Sequence, residues 1–269
     1  MDNRAIGVFD SGLGGLTCVR AITKLLPGEN IIYFGDTGRV PYGTRSKETI
    51  INYTRSDIRF LKSFDIKVAV IACGTASSIA LDTVKNEYDF PIMGVVVPTA
   101  KAAVDASRNG RIGVIGTPLT VKSGKYKEEI EKRSKDAFVV SNACSLFVPF
   151  VEGGYANHEA TRLIAKEYLK PIKEAGVDTL ILGCTHYPLL TKVIGEIMGE
   201  GVTLIDSGME TAKSLKEYLE TNNLLSKNEG EGTCNYYVSD SVQGFEELGG
   251  MFLNKAITGK VEKIDIEKY

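Results

Sequence analysis

Two apolar runs in this 269-residue chain end in cysteine, and they occupy matching places in a repeated order of elements. Val68-Ala69-Val70-Ile71-Ala72-Cys73-Gly74-Thr75 is answered 111 positions later by Thr179-Leu180-Ile181-Leu182-Gly183-Cys184-Thr185-His186. Around them, Ile112-Gly113-Val114-Ile115-Gly116 echoes Ile6-Gly7-Val8-Phe9-Asp10, and residues 137–140 echo 31–34. Pro149 follows Pro41 by 108 positions, and residues 202–206 echo 92–96. A shared order at a nearly constant offset reads as internal duplication of one α/β unit.

Within the first copy, strand-like runs alternate with helical periodicity. Residues 16–26 read as a helix, and 49–64 as another, with Ile50, Tyr53, Ile58, Leu61 and Phe64 near one face. A helix is expected after Cys73 through Lys85, then a strand over 92–97. This rhythm predicts mostly parallel sheets with crossover helices. The tail carries a helix over 209–218, a polar connection over 222–233, a strand over 235–238, a helix through 252 and a strand over 261–266. It is too short for a third copy and is expected to pack back on the first. The expected architecture is α/β, with two pseudo-symmetric, mostly parallel lobes (1–97 plus 208–269, and 98–207) and a site in the cleft between them.

Composition narrows the function classes. The chain is 43% hydrophobic and 25% charged, as soluble globular proteins are. A net charge of −2 gives no reason to expect nucleic acid. The Lys-rich stretch 122–135 is interleaved with Glu128, Glu129 and Glu131, which reads as a solvated helix face. No run approaches the roughly 18 apolar residues of a membrane span. Asp10 and the glycines after it interrupt the first apolar run, so no signal peptide is expected. Five cysteines, an odd number, point to free thiols in a reducing compartment, and the protein is expected in the cytoplasm.

Ligands of open α/β sheets sit at the carboxyl ends of strands, where Cys73 and Cys184 fall. Backbone N–H groups of a following helix lower a thiol's pKa, so both are expected to be partly accessible and thiolate-prone. Cys18 and Cys144 read instead as small buried hydrophobes. No Cys-x-x-Cys motif is present, and two histidines are too few for a zinc site. Cysteine-nucleophile hydrolysis leaves the second thiol without a task. A pair of acid/base thiols uses both: each sulfur about 3–3.5 Å from one carbon, roughly 7 Å apart, on opposite faces.

Other candidates surround this pair. Asp10-Ser11-Gly12-Leu13-Gly14-Gly15 is either a tight turn capped by Asp10 or a place where Asp10 orients an ammonium or serves a thiol. The connection 35–43 offers the Tyr42 hydroxyl and backbone donors near Gly43; its counterpart, 149–154, carries Glu152, either a surface charge or a cleft carboxylate. His186, as imidazolium, favours the Cys184 thiolate; as neutral imidazole it accepts the thiol proton. Ser11, Thr75, Thr117 and Thr185 are hydroxyls at strand ends suited to a carboxylate, while His158 reads as an exposed helix residue. No metal-ligand cluster, Walker motif or PLP-type lysine context stands out.

With these motifs assembled, the chain resembles the glutamate racemases of the cofactor-independent aspartate/glutamate racemase superfamily. The resemblance runs nearly end to end. It rests on Gly7-Val8-Phe9-Asp10-Ser11-Gly12-Leu13-Gly14-Gly15, Gly35-Asp36-Thr37-Gly38-Arg39-Val40-Pro41-Tyr42-Gly43, Ala72-Cys73-Gly74-Thr75-Ala76, Gly113-Val114-Ile115-Gly116-Thr117 and Gly183-Cys184-Thr185-His186-Tyr187-Pro188-Leu189-Leu190. It implies interconversion of L- and D-glutamate without cofactor or metal, supply of D-glutamate for peptidoglycan, and a homodimer. It implies that Cys73 takes the α-proton of the D isomer and Cys184 that of the L isomer, with Asp10, His186 and Glu152 assisting. It further implies substrate contacts at Asp10, Ser11, Tyr42, Gly43, Gly74, Thr75, Thr117, Thr185 and His186. Gly74 stands where the family usually has Asn, which removes one side-chain amide. From the residues alone, an aspartate or hydantoin racemase and a thiol-based metal or redox protein are the alternatives.

Overall fold

Runs rich in Val, Ile and Phe fold as strands covered on both faces, as parallel sheets require. In the computed structural model, which describes Met1–Tyr269, they build two sheets in which every pairing is parallel. The first copy runs β1 (Ala5–Asp10), α1 (Leu16–Leu25), β2 (Ile31–Gly35), α2 (Lys47–Lys62), β3 (Ile66–Ile71), α3 (Gly74–Ile79), α4 (Leu81–Val84), β4 (Ile92–Gly94) and α5 (Val96–Ala106). The second runs β5 (Arg111–Gly116), α6 (Pro118–Ser123), α7 (Lys125–Glu131), β6 (Phe138–Ala143), α8 (Phe147–Glu152), α9 (Glu159–Glu174), β7 (Thr179–Leu182), α10 (Thr191–Met198), β8 (Thr203–Asp206) and α11 (Ser207–Thr221). The tail adds β9 (Cys234–Val238), α12 (Val242–Leu253) and β10 (Val261–Lys263).

The sheet orders are β10-β9-β2-β1-β3-β4 and β6-β5-β7-β8. Strands β2-β1-β3-β4 and β6-β5-β7-β8 therefore repeat one arrangement, the structural counterpart of the sequence repeat. In register, Ile31 faces Cys234 and Gly35 faces Val238, so the tail extends the first sheet beyond β2. The last helix of each copy crosses over: α5 packs on β7, β8 and α7, and α11 packs on α1. Buried Ala100 and Ala103 let α5 lie close to its neighbours. One apolar core joins the two sheets, with Val8, Leu16, Leu182, Ala212 and Leu215 all inside it.

Three expectations need correction. The strand expected over 92–97 stops at Gly94, because Ser77 Oγ accepts the Val95 N–H at 2.8 Å and ends the ladder. Helix α5 then begins at Val96, with Pro98 in a first turn that needs no N–H from it. The helix after Cys73 breaks at Ala80 into α3 and α4. Residues 149–154 do not copy the open connection 35–43: helix α8 runs through them to Glu152.

Along α7 and its C-cap, Lys125 meets Glu128 at 2.9 Å and Lys132 meets Glu129 at 2.7 Å, so the stretch expected as a solvated face is ion-paired, with Glu129 buried. No helix is long and apolar enough to cross a membrane.

Candidate active site

The carboxyl ends of β1, β3, β5 and β7 converge on one cavity of about 370 Å³. Ser11, Tyr42, Gly43, Cys73, Gly74, Thr75, Thr117, Glu152, Cys184, Thr185 and His186 all line it. Asp10 does not reach the surface of this cavity; it lies buried behind it at the end of β1, where Oδ2 accepts the Gly12 N–H at 3.1 Å.

Cys73 caps α3. Its backbone is extended (φ −64°, ψ 120°), and its Sγ accepts the Ala76 N–H at 3.5 Å while facing Ser11 Oγ at 3.6 Å. These contacts favour a thiolate, as a helix N-terminus should. Burial outweighs them: Cys73 is 4% exposed and Cys184 7%. Burial, with the Asp10 carboxylate adding to it, pushes the Cys73 thiol up to about 11. Burial pushes the Cys184 thiol up as well. The expected accessible, low-pKa thiols are thus corrected to buried thiols whose pKa values are raised above the ordinary range.

Cys184 follows β7 and has a distinct setting. Its Sγ lies 4.0 Å from His186 Nδ1, and His186 Nε2 lies 2.9 Å from Glu152 Oε1. Helix α8 therefore brings Glu152 to the cavity wall, with its side chain still partly exposed. The imidazole is wedged edge-on against the Phe252 ring at 5.1 Å. Thr185 Oγ1 donates to Asp10 Oδ1 at 3.5 Å, and its carbonyl accepts from Thr17 Oγ1 at 2.9 Å. Burial raises the Asp10 pKa, partly offset by the charge of His186 and by backbone donors from Gly15, Gly12 and Ser11.

Along the cavity wall, hydroxyls join the two sheets. Thr75 Oγ1 lies 2.9 Å from Thr117 Oγ1, and Thr117 Oγ1 lies 3.0 Å from Thr120 Oγ1. Two glycines allow this close approach. A Cβ on Gly43 would come within 2.6 Å of Thr117 Cβ, and one on Gly74 within 2.3 Å of the Gly183 carbonyl oxygen. The Tyr42 hydroxyl, in contrast, turns away from the cleft and bonds Asp36 Oδ2 at 2.5 Å and Asp57 Oδ2 at 2.9 Å. Its expected role as a hydroxyl donor to substrate is corrected: the hydroxyl is held by these two carboxyl groups.

Cys144 and Ser145 also line the cavity, although no sequence signal separated Cys144 from a core cysteine. His158 is exposed and caps α9, accepting the Ala160 N–H on Nδ1 at 3.1 Å. No three His, Cys, Asp or Glu side chains are grouped to hold a metal ion.

The Asp/Glu/hydantoin racemase family profile matches residues 6–215, which include the repeated four-strand sets of both sheets and Cys73 and Cys184. The chain belongs to the Asp/Glu/hydantoin racemase family. This racemase is 47% identical over 264 residues to the glutamate racemase of Geobacter metallireducens, covering 98% of this chain and 97% of that one. It superposes on a glutamate racemase isoform from Bacillus anthracis with a TM-score of 0.95, at 37% identity and 98% coverage of both chains. A glutamate racemase from Francisella tularensis, solved in complex with D-glutamate, matches with a TM-score of 0.93 at 38% identity, over 100% of each chain. The racemase is therefore an isomerase with the fold of these enzymes.

Proposed function

We propose that the enzyme interconverts L- and D-glutamate by two-base proton transfer between Cys73 and Cys184. The observation that carries this is that two thiols from equivalent strand ends, β3 and β7, line one cavity. For L-glutamate, the Cys184 thiolate removes the α-proton, leaving the electron pair on carbon, and the Cys73 thiol delivers its proton to the opposite face. The reverse assignment serves D-glutamate. Burial raises the pKa of both thiols, so one must give up its proton to a neighbouring base as substrate binds. In this reading His186 Nδ1, 4.0 Å from the Cys184 sulfur, takes its proton, and Asp10, whose charge acts on Cys73, serves the other thiol.

The hydroxyls of Ser11, Thr75, Thr117 and Thr185 and the main chain at Gly43 and Gly74 would bind the two substrate carboxylates. Donors fixed in a water-poor cavity stabilise the charge that develops on the α-carbon and its carboxylate more than solvent does. The volume suits a small amino acid. All proton carriers in this scheme are the chain's own. We assign residues 1–97 plus 208–269 to one functional lobe and 98–207 to the other, with closure between them excluding water. Supply of D-glutamate for peptidoglycan, a cytoplasmic setting and a homodimer accompany this reading.

The test is incubation with L-glutamate in D₂O without added cofactor. Loss of the α-proton signal together with appearance of D-glutamate supports the proposal. Turnover of aspartate in preference to glutamate would move the protein to the aspartate branch, and inactivity toward both would end the reading.

A further inference from the structure

Behind the 40–44 segment of the cleft wall lies a buried polar network that the proton-transfer scheme does not use. Asp36 and Asp57 are both fully buried. Arg39 donates from Nε to Asp36 Oδ2 at 2.6 Å and from Nη2 to Asp57 Oδ1 at 2.8 Å, with its guanidinium 4.2 Å from the Tyr53 ring centre. The exposed Glu267 lies 3.8 Å from Arg39 on the outer side. Ser239 Oγ accepts the Gly38 N–H and donates to Asp36 Oδ1, each at 2.8 Å. The Tyr42 oxygen contacts a carboxyl oxygen on both sides.

Counting hydrogens decides the state of this network. A phenol has one hydrogen, so Tyr42 can donate to only one of its two carboxyl partners. Toward the other its oxygen accepts, and that carboxyl must then carry a proton. Asp36 receives Arg39 and Ser239 as well as the phenol, the donor set of an ionised carboxylate. Asp57 receives only Arg39 and is the carboxyl left to donate to the phenol oxygen. One guanidinium then balances one carboxylate, and no net charge is buried in the network.

We propose that Asp57 is a protonated carboxylic acid at neutral pH and acts as a positioning residue, donating to Tyr42 and so fixing the stretch of main chain through Gly43 that faces the substrate. Burial and the neighbouring Asp36 both raise the Asp57 pKa, in agreement with the hydrogen count. The sequence carries a trace of this: Asp57 lies on the inward face of α2 with Ile50, Thr54, Ile58 and Leu61, where a charge would be out of place. The role of the segment in binding rests on the glutamate racemase reading; the protonation state does not.

The two parts are tested together. Asp57→Asn keeps a donor to Tyr42 and an acceptor for Arg39, whereas Asp57→Ala keeps neither. Asp57→Asn should leave KM for glutamate within about threefold of wild type, while Asp57→Ala raises it about tenfold or more with a smaller change in kcat. Infrared difference spectra of the unliganded proteins at neutral pH should show a protonated-carboxyl C=O band in wild type that Asp57→Asn lacks. Absence of that band difference overturns the protonation, whether or not Asp57→Ala folds. A KM in Asp57→Asn as high as in Asp57→Ala, or an unchanged KM in Asp57→Ala, overturns the positioning role. Wild-type protein that racemises no glutamate overturns the substrate reading and leaves the infrared comparison standing.

Discussion

Glu152 holds His186 from the side remote from Cys184: Nε2 lies 2.9 Å from Glu152 Oε1, and Nδ1 lies 4.0 Å from the Cys184 sulfur. A carboxylate can only accept, so Nε2 carries the ring hydrogen and, in the neutral imidazole, Nδ1 is free to take a proton. His186→Asn should lower kcat by about 10²-fold. Because the two isomers of glutamate have equal free energy, kcat/KM must stay equal in both directions. The asymmetry must be sought elsewhere: α-deuterated L-glutamate should show a larger isotope effect than the D isomer in this variant. Equal isotope effects would remove His186 from the Cys184 side. Glu152→Gln should give the same pattern with a loss of about tenfold.

Loss of either thiol should separate exchange from racemisation. Cys73→Ala and Cys184→Ala should each reduce racemisation at least about 10³-fold. In D₂O, Cys184→Ala retains the thiol that faces the D isomer, so it should exchange the α-proton of D-glutamate and not of L-glutamate. Cys73→Ala should do the reverse. NMR of the α-proton reads both, and racemisation sustained by either variant would sink the two-base mechanism.

The parallel sheets, the duplication and the tail's return to the first sheet were legible because each depends on apolar runs and their order, which a sequence displays directly. Thiol position was legible for the same reason: Cys73 and Cys184 sit where buried strands give way to turns. Thiol pKa was not. It depends on how completely the two halves cover the sulfurs, and that long-range packing outweighs the local helix N-terminus. The Tyr42 hydroxyl was misread because its partner Asp57 comes from α2, 15 positions away. The helical course of 149–154 was missed because Pro149 and Gly153-Gly154 suggested a loop, although a proline is tolerated in a first helical turn.

Cys73 should make the fold alkali-sensitive. Its thiol rises from 9.0 to about 11 in the folded state. Between those values the unfolded chain has lost the proton and the folded chain still holds it, so stability falls as pH rises. Below pH 9 this contribution is fully present; above pH 11 it is gone. Two units correspond to about 3 kcal/mol at most. Urea unfolding at pH 8, 9.5 and 11 should show a steeper decline in wild type than in Cys73→Ala. Parallel declines would mean that the thiol ionises as readily folded as unfolded.

Asp10 has the same sign and a different consequence. Burial raises its carboxyl above the usual range, so the folded state holds the proton more tightly than the unfolded state. Stability from this group is present in acid and is lost as pH climbs through the folded-state value. Asp10→Asn should therefore melt higher than wild type at pH 7, with a smaller difference near pH 4, while its kcat falls. Such a gain at the expense of activity marks a group kept for chemistry. A lower melting temperature at pH 7 would show instead that the hydrogen bonds to Gly12 and Thr185 outweigh the burial of charge.

Gly74 sets the spacing of the halves at the cleft floor. The resemblance implies Asn at this position, yet a Cβ here would lie 2.3 Å from the Gly183 carbonyl oxygen, and the next nearest atoms are also main chain. Backbone cannot rotate aside as a side chain would. Either α3 and β7 separate, or the strain stays in the fold at about 1–3 kcal/mol. Separation moves Cys73 and Cys184 apart with the elements that carry them, and proton transfer is sensitive to such displacement. Gly74→Ala should lower the melting temperature and reduce kcat by about tenfold, and Gly74→Asn by more. If Gly74→Ala matches wild type in melting and turnover, the contact with Gly183 does not set the distance between the thiols.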